Sequence, residues 1–157
     1  MARKSNKAQS SSKTIKKKNL KQIKLYKGTT LEAQTKSLRS HIIRLWPGQD
    51  LLKSIEEYIA AKKLKAGWMV TCVGSLTHLS LRMAGQPNAT KIHSKSTTWE
   101  ILSLVGTLSR HKDSHLHLCV SDKTGKTIGG HVMEGNIVHT TAELVIQEPL
   151  DLKFHRV

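Results

Sequence analysis

The stretch that decides the fold is SHLHLCVSDKTGKTIGGHVMEGNIVHTTAE, residues 114–143. Its first part alternates Leu116, Leu118 and Val120 with polar residues, which is the period-two pattern of a strand with one buried face. The sequence DKTGK that follows can close a three-residue hairpin, with Gly125 at the position that needs a left-handed backbone. The stretch therefore predicts two antiparallel strands joined at Gly125.

The register of this hairpin brings histidines together. With Asp122 opposite Lys126, His117 lies directly opposite His131, and His115 is the neighbour of His117 on the same face. Directly opposed residues have Cβ atoms about 4.5–5.5 Å apart, and residues two apart on one strand are separated by roughly 6.6 Å. Three neutral imidazoles with an open position are the ligand set of a catalytic-type zinc site. We therefore predict that His115, His117 and His131 bind a metal ion such as Zn²⁺.

Spacing alone leaves three alternatives open. Cys119 shares the histidine face and could supply the fourth protein ligand of a closed structural site. A bulge at Gly129-Gly130 would instead turn His131 to the other face and separate it from the other two histidines. Histidines spaced by two are also common on solvated sheet faces, and the chain has nine histidines. The hairpin register is the observation that favours a metal site.

Length and composition indicate one domain with a tail. A chain of 157 residues can bury a core without covalent cross-links. Its two cysteines give no disulfide framework, which favours a reducing compartment, and Cys72 within an apolar run is typical of an inert core thiol. No apolar run approaches the ~18 residues of a membrane span. We expect an intracellular protein, nuclear or cytoplasmic, without membrane contact.

Positive charge is concentrated at the start of the chain. Residues 1–40 hold 12 Lys or Arg against Glu32 alone, so +11 of the total net charge of +15 lies there. We assign residues 1–36 to a basic, Lys- and Ser-rich disordered tail and linker, because residues 1–18 are too polar to offset the entropy of ordering. A solubilising extension is one interpretation, and a mitochondrial transit peptide is less favoured because those segments prefer Arg to Lys. The candidate contacts to nucleic-acid phosphates are Lys16, Lys17, Lys18, Lys21 and Lys24.

The remaining elements predict an α+β domain over residues 37–147, followed by a C-terminal tail over 148–157. A helix begins at Asp50, or at Gln49 beside it, after Pro47-Gly48 and is expected to end at Gly67. Gly74-Ser75 is expected to break the chain between two strands. Together with the hairpin, the strands would number six or seven in a mainly antiparallel or mixed sheet around one principal helix. The predicted strands outside the hairpin are 38–46, 68–74, 76–82, 99–106 and 136–147.

An ordered set of short motifs resembles the plants-and-prokaryotes conserved (PPC) domain, which occurs in plant AT-hook nuclear-localised proteins and as stand-alone prokaryotic proteins. The similarity covers about residues 37–147. The motifs that carry it are Gly48-Gln49-Asp50-Leu51, Val73-Gly74-Ser75-Leu76, Leu79-Ser80-Leu81-Arg82, Trp99-Glu100-Ile101-Leu102-Ser103-Leu104-Val105-Gly106-Thr107, His115-Leu116-His117, Gly129-Gly130-His131 and Thr141-Ala142-Glu143.

This resemblance implies a mainly antiparallel sheet, assembly as a homotrimer, and a metal-suited histidine cluster of the stand-alone type at His115, His117 and His131. It does not imply a reaction, because none is established for the family. The Arg-Gly-Arg-Pro hook of the plant proteins is missing. The plant partner-binding hexapeptide Gly-Arg-Phe-Glu-Ile-Leu corresponds to residues 97–102, which keep only its aromatic-Glu-aliphatic half.

Two functional hypotheses follow. The first is a trimeric DNA-binding or regulatory scaffold whose tails make electrostatic, non-sequence-specific contacts to nucleic acid, because one Phe, two Tyr and three Trp leave little for base stacking. The alternative is a zinc-dependent enzyme or small-ligand binder that uses the three histidines. In that case Glu134 or Glu143 is a candidate general base or partner of a ligand histidine. A plain surface charge is the competing interpretation of Glu143.

Overall fold

One helix and seven strands make up the part of the chain that the computed structural model describes, residues 33–93, 97–110 and 114–154. This arrangement confirms the predicted α+β class. In chain order the elements are β1 (Leu38–Leu45), α1 (Leu51–Lys62), β2 (Ala66–Arg82), β3 (Thr90–His93), β4 (Trp99–Ser109), β5 (His115–Ser121), β6 (Thr127–Val132) and β7 (Ile137–Pro149).

The strands form one antiparallel sheet in the order β1-β7-β2-β4-β5-β6, with β3 paired to β2. The far end of β2 also pairs with β6, where Leu81 lies opposite Val132 and Arg82 lies opposite His131. The sheet therefore curves until β6 meets β2 again. This closure removes an exposed edge and brings residues that are distant in sequence into one row.

The two faces of the sheet differ in burial. One row of directly opposed residues runs through His41, Ile146, Met69, Gly106 and Leu116, and the four side chains of this row are buried. The next row runs through Ser40, Gln147, Trp68, Thr107 and His115, and all five are exposed or half-buried. We call the second side the outer face. His115 belongs to it.

The helix begins where the sequence predicted but ends earlier. Asp50 is its N-cap, and the Asp50 carboxylate accepts a hydrogen bond from the Lys53 backbone N–H at 3.1 Å. The predicted end at Gly67 is wrong, because Lys63 takes the left-handed C-cap conformation at φ 57°. Gly67 lies instead in β2, opposite Leu108 of β4. The glycine that looked like a helix stop therefore belongs to the sheet.

The predicted break at Gly74-Ser75 is also wrong, because β2 runs without interruption for 17 residues. Gly74 adopts φ +144°, and a Cβ there would lie 2.0 Å from the Thr141 carbonyl oxygen. The register against β7 shifts on both sides of Gly74, and in the shift between Gly74 and Leu76 the extra residues lie on β7. Glycine lets β2 bend sharply while keeping its hydrogen bonds, so one strand can pair with several neighbours.

The last strand continues past residue 147 to Pro149, and the residues beyond it also contact the domain. Glu148 lies 3.1 Å from Nε2 of the buried His41. Leu152 is buried, and the Phe154 backbone N–H donates to the Lys65 carbonyl oxygen at 3.1 Å. The segment that the sequence suggested as a C-terminal tail thus packs on the domain as far as residue 154.

The core is continuous and contains a thiol. The apolar residues of α1 that face it are Leu51, Ile55 and Ile59, and they join the inward side chains of the strands in one cluster. Burial raises the pKa of the Cys72 thiol to about 12, as expected of an inert core thiol. Within the described residues, no helix has the length and apolar character needed to cross a bilayer.

Asn136 joins β2 to the turn that precedes β7. Its side chain is fully buried, and its Oδ1 accepts a hydrogen bond from the Ser80 backbone N–H at 3.0 Å. Its Nδ2 donates to the carbonyl oxygens of Ser80 at 3.0 Å and Met133 at 2.6 Å. The Ser80 carbonyl oxygen also accepts from the Met133 N–H at 3.1 Å, so the groups that rely on the amide are the Ser80 N–H and the Met133 carbonyl oxygen, which would be costly to leave unpaired.

We predict that Asn136→Ala lowers the free energy of unfolding by about 3 kcal/mol, because the Ser80 N–H and the Met133 carbonyl oxygen lose their hydrogen bonds to the amide. Chemical denaturation of both proteins would measure the difference. Asn88→Ala is the matched control, since Asn88 is exposed and its loss should change stability by less than about 0.5 kcal/mol. Equal stabilities for the two variants would contradict the structural role of Asn136.

Candidate metal centre

The turn between β5 and β6 has the predicted hydrogen bonding. The Asp122 backbone N–H donates to the Lys126 carbonyl oxygen at 3.0 Å, and Gly125 sits at φ +83°. Asp122 Oδ1 accepts hydrogen bonds from the Thr124 hydroxyl at 2.7 Å, the Thr124 N–H at 2.8 Å and the Lys126 N–H at 3.0 Å. These bonds, those from Thr124 foremost, lower the pKa of the Asp122 carboxyl, so the ionised carboxylate stabilises the turn.

The hairpin register confirms the predicted pairing of His117 with His131. Gly130 pairs with Leu118 and Gly129 with Cys119, so the alternative of a bulge at the two glycines is excluded. His131 therefore lies on the same face as His117. The apolar partners Leu116, Leu118 and Val120 are buried on the other face, as the alternation predicted.

The three imidazoles converge on the outer face. Their ring centroids are 5.0 Å apart for His115 and His117, 5.2 Å for His115 and His131, and 5.6 Å for His117 and His131. One ligand nitrogen from each ring lies within 4.8 Å of the others. His115 and His117 are exposed and His131 is half-buried. We refer to these three residues as the histidine cluster.

The histidine cluster offers three nitrogen donors that could hold a metal ion. Zinc–nitrogen bonds of about 2.0–2.1 Å in a tetrahedral site place the nitrogens about 3.3 Å apart, which rotation of the exposed rings can achieve. Cys119 is not part of the group, although it shares the outer face. Three nitrogen ligands leave at least one coordination position for water or a ligand. A closed four-ligand structural site is therefore not the arrangement seen here.

A cavity of about 490 Å³ adjoins the histidine cluster, and we call it the ligand cavity. One wall is the turn from Met83 to Gln86, and the opposite wall is the hairpin. Arg82 lies at its border, directly opposite His131 in the pairing of β2 with β6. The residues that line the cavity are Arg82, Met83, Ala84, Gly85, Gln86, His115, His117, Gly129, Gly130 and His131.

The two candidate carboxylates lie elsewhere. Glu134 lines cavities beside α1, together with Glu56 and other charged residues. Glu143 is on β7 and its carboxylate is 3.5 Å from the Arg44 guanidinium nitrogen Nε. Neither residue lines the ligand cavity. The structure thus brings together the three predicted histidines but not the carboxylates suggested to assist them.

The predicted phosphate contacts lie outside the described residues, and one residue beside the histidines was not predicted. The five candidate phosphate-binding lysines, Lys16, Lys17, Lys18, Lys21 and Lys24, lie outside the described residues. Arg82 was not predicted to be near the histidines. Its proximity comes from the pairing of β2 with β6, which is a contact between distant parts of the sequence. No local pattern around Arg82 indicates that pairing.

Among curated proteins, the chain is similar to the bifunctional protein GlmU of Synechococcus sp. strain JA-3-3Ab, with 42% identity over 122 residues. That match includes 78% of this chain but only 19% of the relative. The chain therefore spans about a fifth of the length of the curated relative. What the rest of that protein does is not carried over by this similarity.

Solved structures show the same fold. A hypothetical protein from Salmonella enterica is 41% identical, with a TM-score of 0.74 over 79% of this chain and 86% of that one. A metal-containing protein from Archaeoglobus fulgidus is 22% identical, with a TM-score of 0.63 over 80% and 88%. A candidate DNA-binding protein from Bacteroides thetaiotaomicron is 18% identical, with a TM-score of 0.64 over 79% and 90%. The last two similarities support the fold and nothing further.

The family assignment rests on a match over most of the domain. The sequence model of the Plants and Prokaryotes Conserved (PCC) domain matches residues 32–149. These limits enclose all seven described strands, the helix and the histidine cluster. The chain belongs to the Plants and Prokaryotes Conserved domain family.

Proposed function

We propose that this domain binds a divalent metal ion, with Zn²⁺ the best fit, through His115, His117 and His131. The observation that carries this proposal is the convergence of three ligand nitrogens to within 4.8 Å on the outer face of a rigid sheet. Two of the ligands share β5 and the third comes from β6, so the hairpin itself holds the site. Ligands on regular strands are positioned more precisely than ligands on loops.

The bound ion would be used for ligand binding beside the open coordination position. Zinc supplies Lewis acidity and lowers the pKa of a bound water toward ~7. The ligand cavity has space for a small molecule next to that position, since its volume falls in the range of about 300–1,000 Å³ found for small-molecule sites. Neither Glu134 nor Glu143 lines the cavity, so we propose metal-dependent ligand binding without catalysis by those carboxylates.

We predict that the purified protein binds one Zn²⁺ per chain and that His117→Ala lowers its affinity at least tenfold, because it removes one of three ligands. Metal analysis after dialysis, with titration of the metal-free protein, would measure both quantities. His139→Ala is the matched control, since His139 is exposed on β7 and is not in the cluster. Metal-free wild-type protein that also fails to bind added Zn²⁺ would refute the site.

We further propose that the chain assembles as a homotrimer through the outer face. Several large apolar side chains are exposed on the surface, including Ile42 at 84%, Trp46 at 61% and Val73 at 54%. Exposed apolar patches commonly mark protein–protein contacts. Ile42 lies on β1, which is the edge strand of the sheet among the described strands. Covering this edge with a second copy would bury apolar area and pair free backbone groups.

We predict that Ile42→Lys raises the dissociation constant of the assembly at least tenfold, because a charge would be placed in an apolar contact. Sedimentation velocity over a range of concentrations would report the change. Asn88→Lys adds the same charge on an exposed loop and should leave assembly unchanged. A monomeric wild-type protein, or an Ile42→Lys variant that assembles normally, would argue against this interface.

A second proposed function is electrostatic contact with nucleic acid through residues 1–36. The observation that favours it is the charge of +11 in residues 1–40, in a chain whose remaining residues carry only +4. Basic segments bind phosphates without reading sequence, and three tails on one trimer would multiply weak contacts through effective concentration. The activity would belong to an intracellular, nuclear or cytoplasmic protein acting as a DNA-binding or regulatory scaffold.

We predict that replacing five tail lysines by Ala reduces the slope of log affinity against log salt by about four on double-stranded DNA, because fewer counterions are released. The lysines are Lys16, Lys17, Lys18, Lys21 and Lys24. Fluorescence anisotropy with a labelled duplex at several salt concentrations would measure the slope.

The control for this experiment removes the same charge from the folded domain. It replaces five exposed lysines by Ala, and we expect a much smaller change of slope. The control lysines are Lys53, Lys62, Lys91, Lys123 and Lys126. Equal slopes for the tail variant and the wild-type protein would exclude the tail as the phosphate contact.

A further inference from the structure

Arg82 adds a positive charge to the ligand cavity, and this charge is not required for binding a metal ion. Among the described residues that line the cavity, it carries the one permanent charge, since the others are histidines, glycines and neutral side chains. It lies directly opposite His131, and opposed residues have Cβ atoms about 4.5–5.5 Å apart. Its side chain is half-buried. Arg82 therefore lines the cavity beside the proposed metal position.

Within the described part of the chain, no acidic side chain is close enough to form an ion pair with Arg82. In the ranges that the structure describes, the three ion pairs involve Arg39, His41 and Arg44, and Arg82 has no carboxylate within 4 Å. The acidic residues Glu56, Glu57 and Glu134 line a different cavity, beside α1. A half-buried guanidinium group with five fixed donors normally has an anionic partner when it lies in a cavity. Here the described protein groups do not supply one.

A metal ion bound to the histidine cluster would also favour an anion in the cavity. Three neutral imidazoles bring no negative charge, so a divalent ion bound to the histidine cluster keeps its full charge of about two positive units. Arg82 would add another positive charge at short distance, and like charges repel more strongly in a cavity of reduced dielectric than in water. An anion placed between the ion and the guanidinium group would neutralise this repulsion. Nothing in the cavity lining can do so.

We infer that the ligand of this site is a small molecule with a carboxylate or phosphate group. Resting on the proposed metal site, the inference is that one oxygen of the anionic group occupies the open coordination position while its other oxygens accept hydrogen bonds from Arg82. The planar guanidinium fork matches both carboxylate and phosphate geometry. The cavity volume of about 490 Å³ leaves room for the rest of the molecule against the Met83 to Gln86 turn.

The test uses the full chain loaded with Co²⁺, whose visible spectrum reports both metal binding and changes in its coordination. The probes are acetate for the carboxylate class, methylphosphonate for the phosphate class, and neutral imidazole as a ligand that needs no cation. For wild-type protein we expect saturable spectral changes with at least one of the anions. For Arg82→Ala we expect the same cobalt stoichiometry, an anion affinity lower by about tenfold or more, and unchanged imidazole affinity.

Two further variants separate charge from geometry. Arg82→Lys keeps a point charge without the fork and should recover only part of the anion affinity. Arg39→Ala removes the same net charge from exposed β1, far along the sheet order from the cluster, and should bind anions like the wild-type protein. Added methylguanidinium should partly restore anion binding to Arg82→Ala.

The outcomes distinguish this inference from the metal site on which it rests. A protein that binds no Co²⁺ removes the metal site and the inference together. A cobalt complex that is indifferent to both anions overturns the inference alone. Equal anion affinity in Arg82→Ala and wild type would also overturn it, as would an equal loss of imidazole affinity, because that loss would mean a distorted site.

Discussion

Two hydrogen bonds across the turn at Asp122 and Lys126 set the register on which the proposed site depends. A slip of one residue between β5 and β6 would move every side chain of one strand to the opposite face. The buried row of Leu116, Leu118 and Val120 opposes such a slip, because it would expose three apolar side chains to water. The turn and the core therefore specify the same pairing, and the histidine cluster is its consequence on the solvent side.

Features encoded within a few residues were predictable from the sequence. Alternation along residues 115–121, the glycine turn at Gly125 and the N-cap at Asp50 each act locally, and the structure agrees with all three. The predicted helix end and strand break failed at Gly67 and Gly74 for one reason. Glycine was interpreted as a local stop, whereas in both places it lies within a strand that meets its neighbours across the sheet.

The unpredicted part of the site comes from closure of the sheet. Arg82 reaches the histidine cluster because β2 is long enough to pair with β7 and β4 at one end and with β6 at the other. The strand continues through Gly74, where only glycine fits the close approach of the Thr141 carbonyl oxygen. A pattern read within one segment cannot indicate which strand returns to it from 50 residues away. The candidate carboxylates failed to join the cavity for the same reason, since their position depends on sheet order.

The location of the site joins its chemistry to the rest of the surface. His117 lies opposite Val105, which is 52% exposed, so the histidine cluster borders an apolar residue on the outer face. If copies of the chain cover that face, they also approach the ligand cavity and restrict the access of water to it, which would strengthen the attraction between a bound anion and Arg82. Ligand binding and assembly would then be energetically coupled, because each would stabilise the other. The tail charge acts apart from this coupling, since residues 1–40 carry +11 regardless of what occupies the cavity.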